Sequence, residues 1–152
     1  MRQQLEYVVP VWNPNYIIYV SMLESVQKQF FLRALRNLSW EDPKHLPSYE
    51  SRCKLIELPS LQRRRDMISV MFLLKIIDGN MFVPFVLSKI SFNVPVRNLR
   101  NFNLLRKNVS RITTTNYANF EPVNNIISIF NRYYDFIDFN DNYNTIKKLI
   151  LS

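Results

Sequence analysis

The sequence contains one glycine, one cysteine and one histidine, and each scarcity removes a class of site. The single Cys53 cannot form an internal disulfide, which is typical of an intracellular, reducing compartment, with nucleus and cytoplasm both open. The single Gly79 leaves no glycine-rich loop to hold phosphate. No CxxC, CCHC or HExxH spacing occurs, so we predict no metal site and no cofactor. His45 and Cys53 have no neighbouring group that would activate them as a catalytic pair.

Long apolar runs are also missing. The longest run is shorter than the roughly 20 residues that a membrane-spanning helix needs, so no membrane partner is expected. Polar Gln3 and Gln4 stand where a secretory signal would be apolar. Asp135, Asp138 and Asp141 straddle a predicted helix end and lack the rigid focus of two-metal chemistry. We therefore predict that the chain is not an enzyme by itself and has no small-molecule substrate.

Positive charge is abundant, with a net charge of +8. Residues 79–120 hold six basic side chains and no acidic one, which indicates either a strip that binds a polyanion or a solvated loop. The candidate nucleic-acid-binding residues of this strip are Arg97, Arg100, Arg106, Lys107 and Arg111. They are interleaved with Phe92, Phe102, Tyr117 and Phe120. Basic and aromatic side chains together suit a single strand or a hybrid duplex, although aromatic residues more often belong to a core.

Residues 60–78 have the pattern of one long helix with two unlike halves. Ser60 is a good N-cap and Gly79 stands where a helix-ending residue belongs. The half from Met67 to Ile77 is apolar almost all round, which predicts burial on most sides. The first turn carries three further candidate binding residues, Arg63, Arg64 and Arg65. Cations there oppose the helix dipole, so we expect an acidic partner.

That partner is predicted to be either a protein carboxylate or an external phosphate. The protein candidates are Glu50, Glu57 and Asp66. The three arginines are about 100° apart around the helix and cannot all hold one phosphate.

The rest of the chain predicts an all-α fold of five or six helices packed around the central helix at about 60–78. We expect further helices over 14–38, 48–57, 122–137 and from Asn140 or Asp141 to Leu151, with a helical turn or two over 84–90. Asn13 and Pro14 are predicted to open the first of these. Residues 91–120 lack periodicity, which predicts a long irregular basic segment with an extended piece near 92–96.

Two helices have predicted inward faces. In the first, the inward residues are Tyr16, Val20, Leu23, Phe30, Phe31, Ala34 and Leu38, and the solvated ones Ser21, Ser25, Lys28, Gln29 and Arg36. In the helix after Glu121, they are Ile126, Ile127, Phe130, Tyr133 and Tyr134. The seventeen asparagines are interpreted as coding bias.

Several motifs follow in an order that resembles the region after the polymerase domain in jockey-like, non-LTR retrotransposons of insects. The N-terminal half offers Leu5-Glu6-Tyr7, Val11-Trp12-Asn13-Pro14, the stretch 23–30 (similar to "IExVQRxF"), Arg52-Cys53, and the Leu-Pro-Ser-Leu-x-x-Arg-Arg stretch 58–65. The C-terminal half offers 72–79 (similar to "FLYKILNG"), Phe92 to Arg100 (similar to "FxxPxRxxR"), and Thr115-Asn116-Tyr117 with 121–123 and Phe130-Asn131 (similar to "TNYGxxSPIxRxxxxYN"). Each motif is weak alone, and their collinear order is specific.

This resemblance implies an all-helical C-terminal region of a reverse transcriptase, in residues 1–152 as a single helical domain or a fragment of a larger protein. Ala118 departs from the glycine of the family turn. The family's catalytic Asp-Asp is absent, so no polymerase residue is carried over. Arg64 and Arg65 match the family pattern, whereas Arg63 stands where the pattern varies.

The expected function is a non-catalytic module that helps to bind template RNA or target DNA. The alternatives are a packing module that docks on the upstream polymerase thumb, and a decayed or host-derived fragment without a nucleic-acid role.

Overall fold

The computed structural model describes residues 6–37, 47–94, 103–108 and 121–151. These residues form seven α-helices, two of them single turns, and one short strand pair. The helices are α1 (Val9–Trp12), α2 (Ile17–Asn37), α3 (Tyr49–Leu55), α4 (Leu61–Ile77), α5 (Pro84–Leu87), α6 (Pro122–Tyr133) and α7 (Tyr143–Leu151). A 3₁₀ turn, Tyr134–Phe136, follows α6. The all-α prediction is confirmed.

Helix α4 is the centre of the fold, as predicted. It packs against α1, α2, α6 and α7, and its apolar half contributes Val70, Leu73 and Leu74 to the core. The Ser60 hydroxyl accepts the Arg63 backbone N–H at 3.3 Å, which confirms the N-cap. Burial on most sides therefore explains why this half of α4 is apolar almost all round.

The two strands form an antiparallel ribbon beside α6. Strand β1 (Ser91–Phe92) pairs with β2 (Leu105–Arg106), with Ser91 opposite Arg106 and Phe92 opposite Leu105. The extended piece predicted near Phe92 is confirmed for its first residue, while residues 95–102 lie outside the described part of the chain.

The start of the first long helix was predicted wrongly. Asn13 ends the one-turn helix α1 instead of capping α2, which begins three residues after Pro14. The reason is tertiary, because α1 packs on both α4 and α6 and the Asn13 carbonyl accepts a hydrogen bond from the Asn125 side chain at 3.3 Å. The last helix likewise begins later, where Asn142 accepts the Asn144 N–H at 3.1 Å.

The inward face of α2 is also shifted from the prediction. Phe31 and Leu35 are buried, but Phe30 is 59% exposed and Tyr16 is exposed too. Two polar residues, Glu24 and Gln27, are buried in their place. Ser21, Ser25, Lys28 and Gln29 are exposed as predicted. Leu38, His45 and the side chain of Arg36 lie outside the description. On α6, Ile126, Ile127 and Phe130 are buried and Tyr133 and Tyr134 half-buried.

Gly79 provides a test of the helix end. Its φ is +74°, a left-handed conformation, and an added Cβ would meet nothing within 4 Å. Gly79→Ala is therefore expected to lower the free energy of unfolding by about 1–2 kcal/mol through backbone strain alone. Gly79→Asn should cost less, because asparagine tolerates this region. Urea denaturation measures both, and an alanine variant as stable as the parent would contradict the strain argument.

Candidate nucleic-acid interface

The first turn of α4 has an acidic partner that comes from α2. The Glu24 carboxylate, 9% exposed, accepts the Gln62 backbone N–H through Oε1 at 2.6 Å. Its Oε2 accepts the Tyr49 hydroxyl at 2.6 Å, and burial together with Glu24 raises the pKa of Tyr49, so this hydroxyl stays a donor. A carboxylate at a helix N-terminus interacts favourably with the helix dipole, whereas the arginines there interact with it unfavourably. Neither Glu50 nor Glu57 has this role, contrary to the sequence-based expectation.

Arg64 is held by Glu6 in a two-point ion pair. The Arg64 Nε lies 2.5 Å from Glu6 Oε1, and Nη2 donates to Oε2 at 2.7 Å. Both side chains are largely shielded from water. Charge-assisted hydrogen bonds, such as the one that Nη2 donates, are among the stronger hydrogen bonds in proteins. The acidic partner of Arg64 is therefore a protein carboxylate, and no external phosphate is needed to account for an arginine at this helix end.

Arg65 is inside the protein, with 1% of its surface exposed. None of its three guanidinium nitrogens has a hydrogen-bond partner among the described residues. Burial lowers its pKa, and the nearby carboxylates of Glu24, Asp66 and Glu6 act in the opposite direction. Because an external phosphate does not reach a buried side chain, Arg65 is removed from the candidate interface.

Arg63 is exposed and lines a cleft of 850 Å³ between α3, the start of α4 and the end of α7. The charged residues of the cleft are Glu24, Glu50, Glu57, Lys54, Arg63 and Lys148. Three carboxylates thus face three cations, and such a mixed lining gives no net attraction for a polyanion. The helix-end arginines therefore do not form one binding surface in this structure.

Asp66, the remaining predicted partner, favours the charged form of Arg65 and is also bonded to side chains of α6. Its Oδ2 accepts the Tyr133 hydroxyl at 3.1 Å and Arg132 Nη1 at 3.4 Å. Burial raises the Asp66 pKa above its ordinary 3.8, more than Arg132 and Tyr133 lower it. The folded state therefore binds this proton more tightly than the unfolded state does.

A pH dependence follows from this raised pKa. The contribution of Asp66 to stability should fall as the pH rises from 3.8 through the raised value. In Asp66→Asn this contribution is absent, while the amide oxygen still accepts the Tyr133 hydroxyl. Free energies of unfolding are measured from acid to neutral pH. The value for the variant, relative to that for the parent, should increase as the pH rises. A difference that is constant with pH would contradict the assignment.

The basic segment is anchored to α6 by asparagine side chains. Asn131 Oδ1 accepts the Leu105 backbone N–H at 3.0 Å, and Asn131 Nδ2 donates to the Leu105 carbonyl at 2.8 Å. Asn124 Oδ1 accepts the Asn108 N–H at 3.1 Å. Leu105 itself is buried. We call this arrangement the asparagine clamp, formed by Asn124 and Asn131 around residues 105–108.

The clamp presents two predicted binding residues on the surface. Arg106 and Lys107 are both exposed and lie between the anchored Leu105 and Asn108. Lys89, also in the acid-free segment, is bonded to Glu121 at the start of α6. The other predicted residues, Arg97, Arg100 and Arg111, lie outside the described part of the chain, as do Phe102, Tyr117 and Phe120. Phe92 is half-exposed beside the clamp.

Motif residues of the retrotransposon resemblance contact one another in the fold. Glu24 and Gln27 come from the "IExVQRxF"-like helix, and both bind the segment that carries the Leu-Pro-Ser-Leu motif. Gln27 Nε2 donates to the Pro59 carbonyl at 3.1 Å. Asn131 belongs to the last motif and forms half of the clamp. Sequence reasoning missed the role of Asn131 because it interpreted the asparagines as coding bias.

Comparison of the chain with protein-family models, curated proteins and solved structures gave no match. In the described ranges, no helix has the length and apolarity to cross a membrane. Within those same ranges, no three His, Cys, Asp or Glu side chains are grouped so as to hold a metal ion. Cys53 is half-buried on α3.

Proposed function

We propose that the chain is a non-catalytic, nucleic-acid-binding module of a non-LTR retrotransposon reverse transcriptase. The observation that carries the binding role is the exposed Arg106–Lys107 pair, held by the asparagine clamp in a segment without acidic residues. Because the clamp holds the backbone that carries these cations, binding has only their side chains to order, which favours attraction to phosphates. The retrotransposon origin rests on the collinear motifs.

A second candidate, a packing module for the polymerase thumb, is favoured by one face of α2. Four exposed apolar side chains follow one another at intervals of four residues: Ile18, Met22, Val26 and Phe30. Between them, the Ser21 and Ser25 hydroxyls donate to the carbonyls three residues before, at 2.7 and 2.6 Å. Burying this face would therefore leave no serine hydroxyl without a partner.

Salt dependence separates the two candidates. The parent chain should bind a labelled oligonucleotide with an affinity that falls steeply with salt. Arg106→Ala/Lys107→Ala should weaken binding and reduce the log–log salt slope by about 1.4 on a single strand or about 1.8 on a duplex, since each phosphate contact contributes about 0.7 or 0.9.

The matched control is Lys147→Ala/Lys148→Ala, which removes two exposed cations from α7. The log–log salt slope of this variant should differ from that of the parent by less than about 0.4, half the contribution of one phosphate contact. Equal losses in both double variants would indicate attraction by net charge alone. No binding by the parent would leave the packing role as the better account.

A further inference from the structure

Three phenylalanine rings are exposed to solvent in the acid-free segment that carries the clamped cations. The exposed fractions are 85% for Phe82, 64% for Phe85 and 54% for Phe92. The Lys89 Nζ lies 4.5 Å from the centroid of the Phe85 ring. In contrast, the Phe31 and Phe130 rings are fully buried, so exposure is not a general property of the phenylalanines in this fold. The acid-free segment therefore combines exposed rings with positive charge.

The strand register places Phe92 on the same face of the ribbon as one of the two clamped cations. Phe92 is opposite Leu105 and Ser91 is opposite Arg106, and Lys107 directly follows the end of β2. Because alternate residues of a strand share a face, Lys107 is a diagonal neighbour of Phe92 on one face of the ribbon, while Arg106 lies on the other with Ser91. A strand of nucleic acid that contacts the Phe92 ring thus passes Lys107 on the same face, and Arg106 extends the positive charge to the other face of the narrow ribbon.

The form of nucleic acid decides whether these rings contribute. In a duplex the bases stack on one another and present phosphates and groove edges to the protein. Unpaired bases have free faces that stack on aromatic side chains, and each such contact is worth a several-fold gain in affinity. Exposed phenylalanines beside a basic ribbon therefore favour an unpaired strand over a duplex.

We infer that the ribbon site, formed by Phe92, Arg106 and Lys107, binds single-stranded nucleic acid. Phe92 stacks on a base, and the two cations contact the phosphates. This inference rests on the proposed function, since it specifies the ligand of the same surface. RNA and DNA share the chemistry that the site uses.

The test compares binding of a homopolymeric single strand with binding of a duplex. Binding is measured by fluorescence anisotropy, with the dye at the end of the strand so that the bases are unmodified. Oligo-dT and oligo-U of about 16 nucleotides serve as single strands, a length within the range of known sites, and a mixed-sequence duplex of equal length as the competitor. The full chain should bind the single strands more tightly at every salt concentration. Phe92→Leu should lower single-strand affinity by about 5-fold or more and leave both the salt slope and the duplex affinity unchanged.

Two further variants test whether an aromatic ring at position 92 is what matters. Phe92→Tyr should retain the affinity, because tyrosine keeps a stacking face. Phe136→Leu removes a ring that is even more exposed, from the turn after α6, and should change nothing. An unchanged thermal midpoint in Phe92→Leu would show that the exposed ring is not needed for folding, and affinities are compared at a temperature where both variants are fully folded.

The outcomes are distinguishable. If the chain binds duplex as tightly as single strand and Phe92→Leu alters neither affinity, the stacking inference is overturned while the charge-based binding proposal stands. If neither form of nucleic acid binds, both the inference and the proposed function fail.

Discussion

Replacing Glu24 by alanine is expected to lower the free energy of unfolding by about 3–5 kcal/mol, the cost of removing one member of a buried charged group. The substitution leaves two donors without an acceptor, the Gln62 N–H and the Tyr49 hydroxyl. It also removes the carboxylate that most favours the charged form of buried Arg65. Equilibrium urea denaturation followed by helical circular dichroism measures the change.

Two neighbouring substitutions isolate the cause. Glu24→Gln keeps an acceptor oxygen and loses the charge, so its cost should be intermediate. Ser25→Ala changes an exposed position on the same helix turn and should stay within about 0.5 kcal/mol of the parent, as surface substitutions usually do. The expected cost for Glu24→Ala is well above about 1 kcal/mol. A free energy of unfolding closer to that of the parent would show that Glu24 does not hold α2 to α4.

Replacing Asn131 by alanine should affect both stability and binding. The Leu105 N–H and carbonyl would each lose their side-chain partner, at a cost of about 1–3 kcal/mol per buried group left unsatisfied. Arg106 and Lys107 would no longer be fixed on the surface, so the affinity for a single strand should fall. Denaturation and anisotropy, at a temperature where the variant is fully folded, measure the two effects.

The controls for Asn131 separate anchoring from stability. Asn131→Asp keeps the acceptor for the Leu105 N–H and loses the donor, so it should show part of both effects. Asn140→Ala alters an exposed asparagine and should show neither. If folded Asn131→Ala binds nucleic acid as tightly as the parent, the clamp contributes to stability alone and does not organise the interface.

Local signals in the sequence predicted the elements that are locally determined. Ser60 and Gly79 mark the two ends of α4, and Pro122 opens α6, because caps and helix-opening prolines act through neighbouring backbone. Asn13 failed as a cap because its surroundings are set by α1 and by Asn125, which is 112 residues away. Periodicity also misjudged α2, since Glu24 and Gln27 are buried by hydrogen bonds that no apolar pattern contains.

The candidate site shows the same division. Composition alone identified the acid-free segment, and the structure fixes Arg106 and Lys107 on its surface. The arginine triplet required tertiary information, because Glu6 and Glu24 lie 58 and 38 residues from the positions that they bind. The sequence predicted that the triplet needs an acidic partner, and it could not indicate which carboxylate would be brought there by folding.

The most direct test of the account is an amide hydrogen-exchange footprint of the full chain, alone and saturated with an unpaired strand of about 16 nucleotides, within the range of known site sizes. The account predicts that binding slows exchange in peptides from residues 79–120, including Phe92, Arg106 and Lys107, and leaves residues 58–65 unchanged. Protection of residues 58–65 without protection of 79–120 would contradict it, because the helix-end arginines would then be the binding surface and the basic ribbon would not.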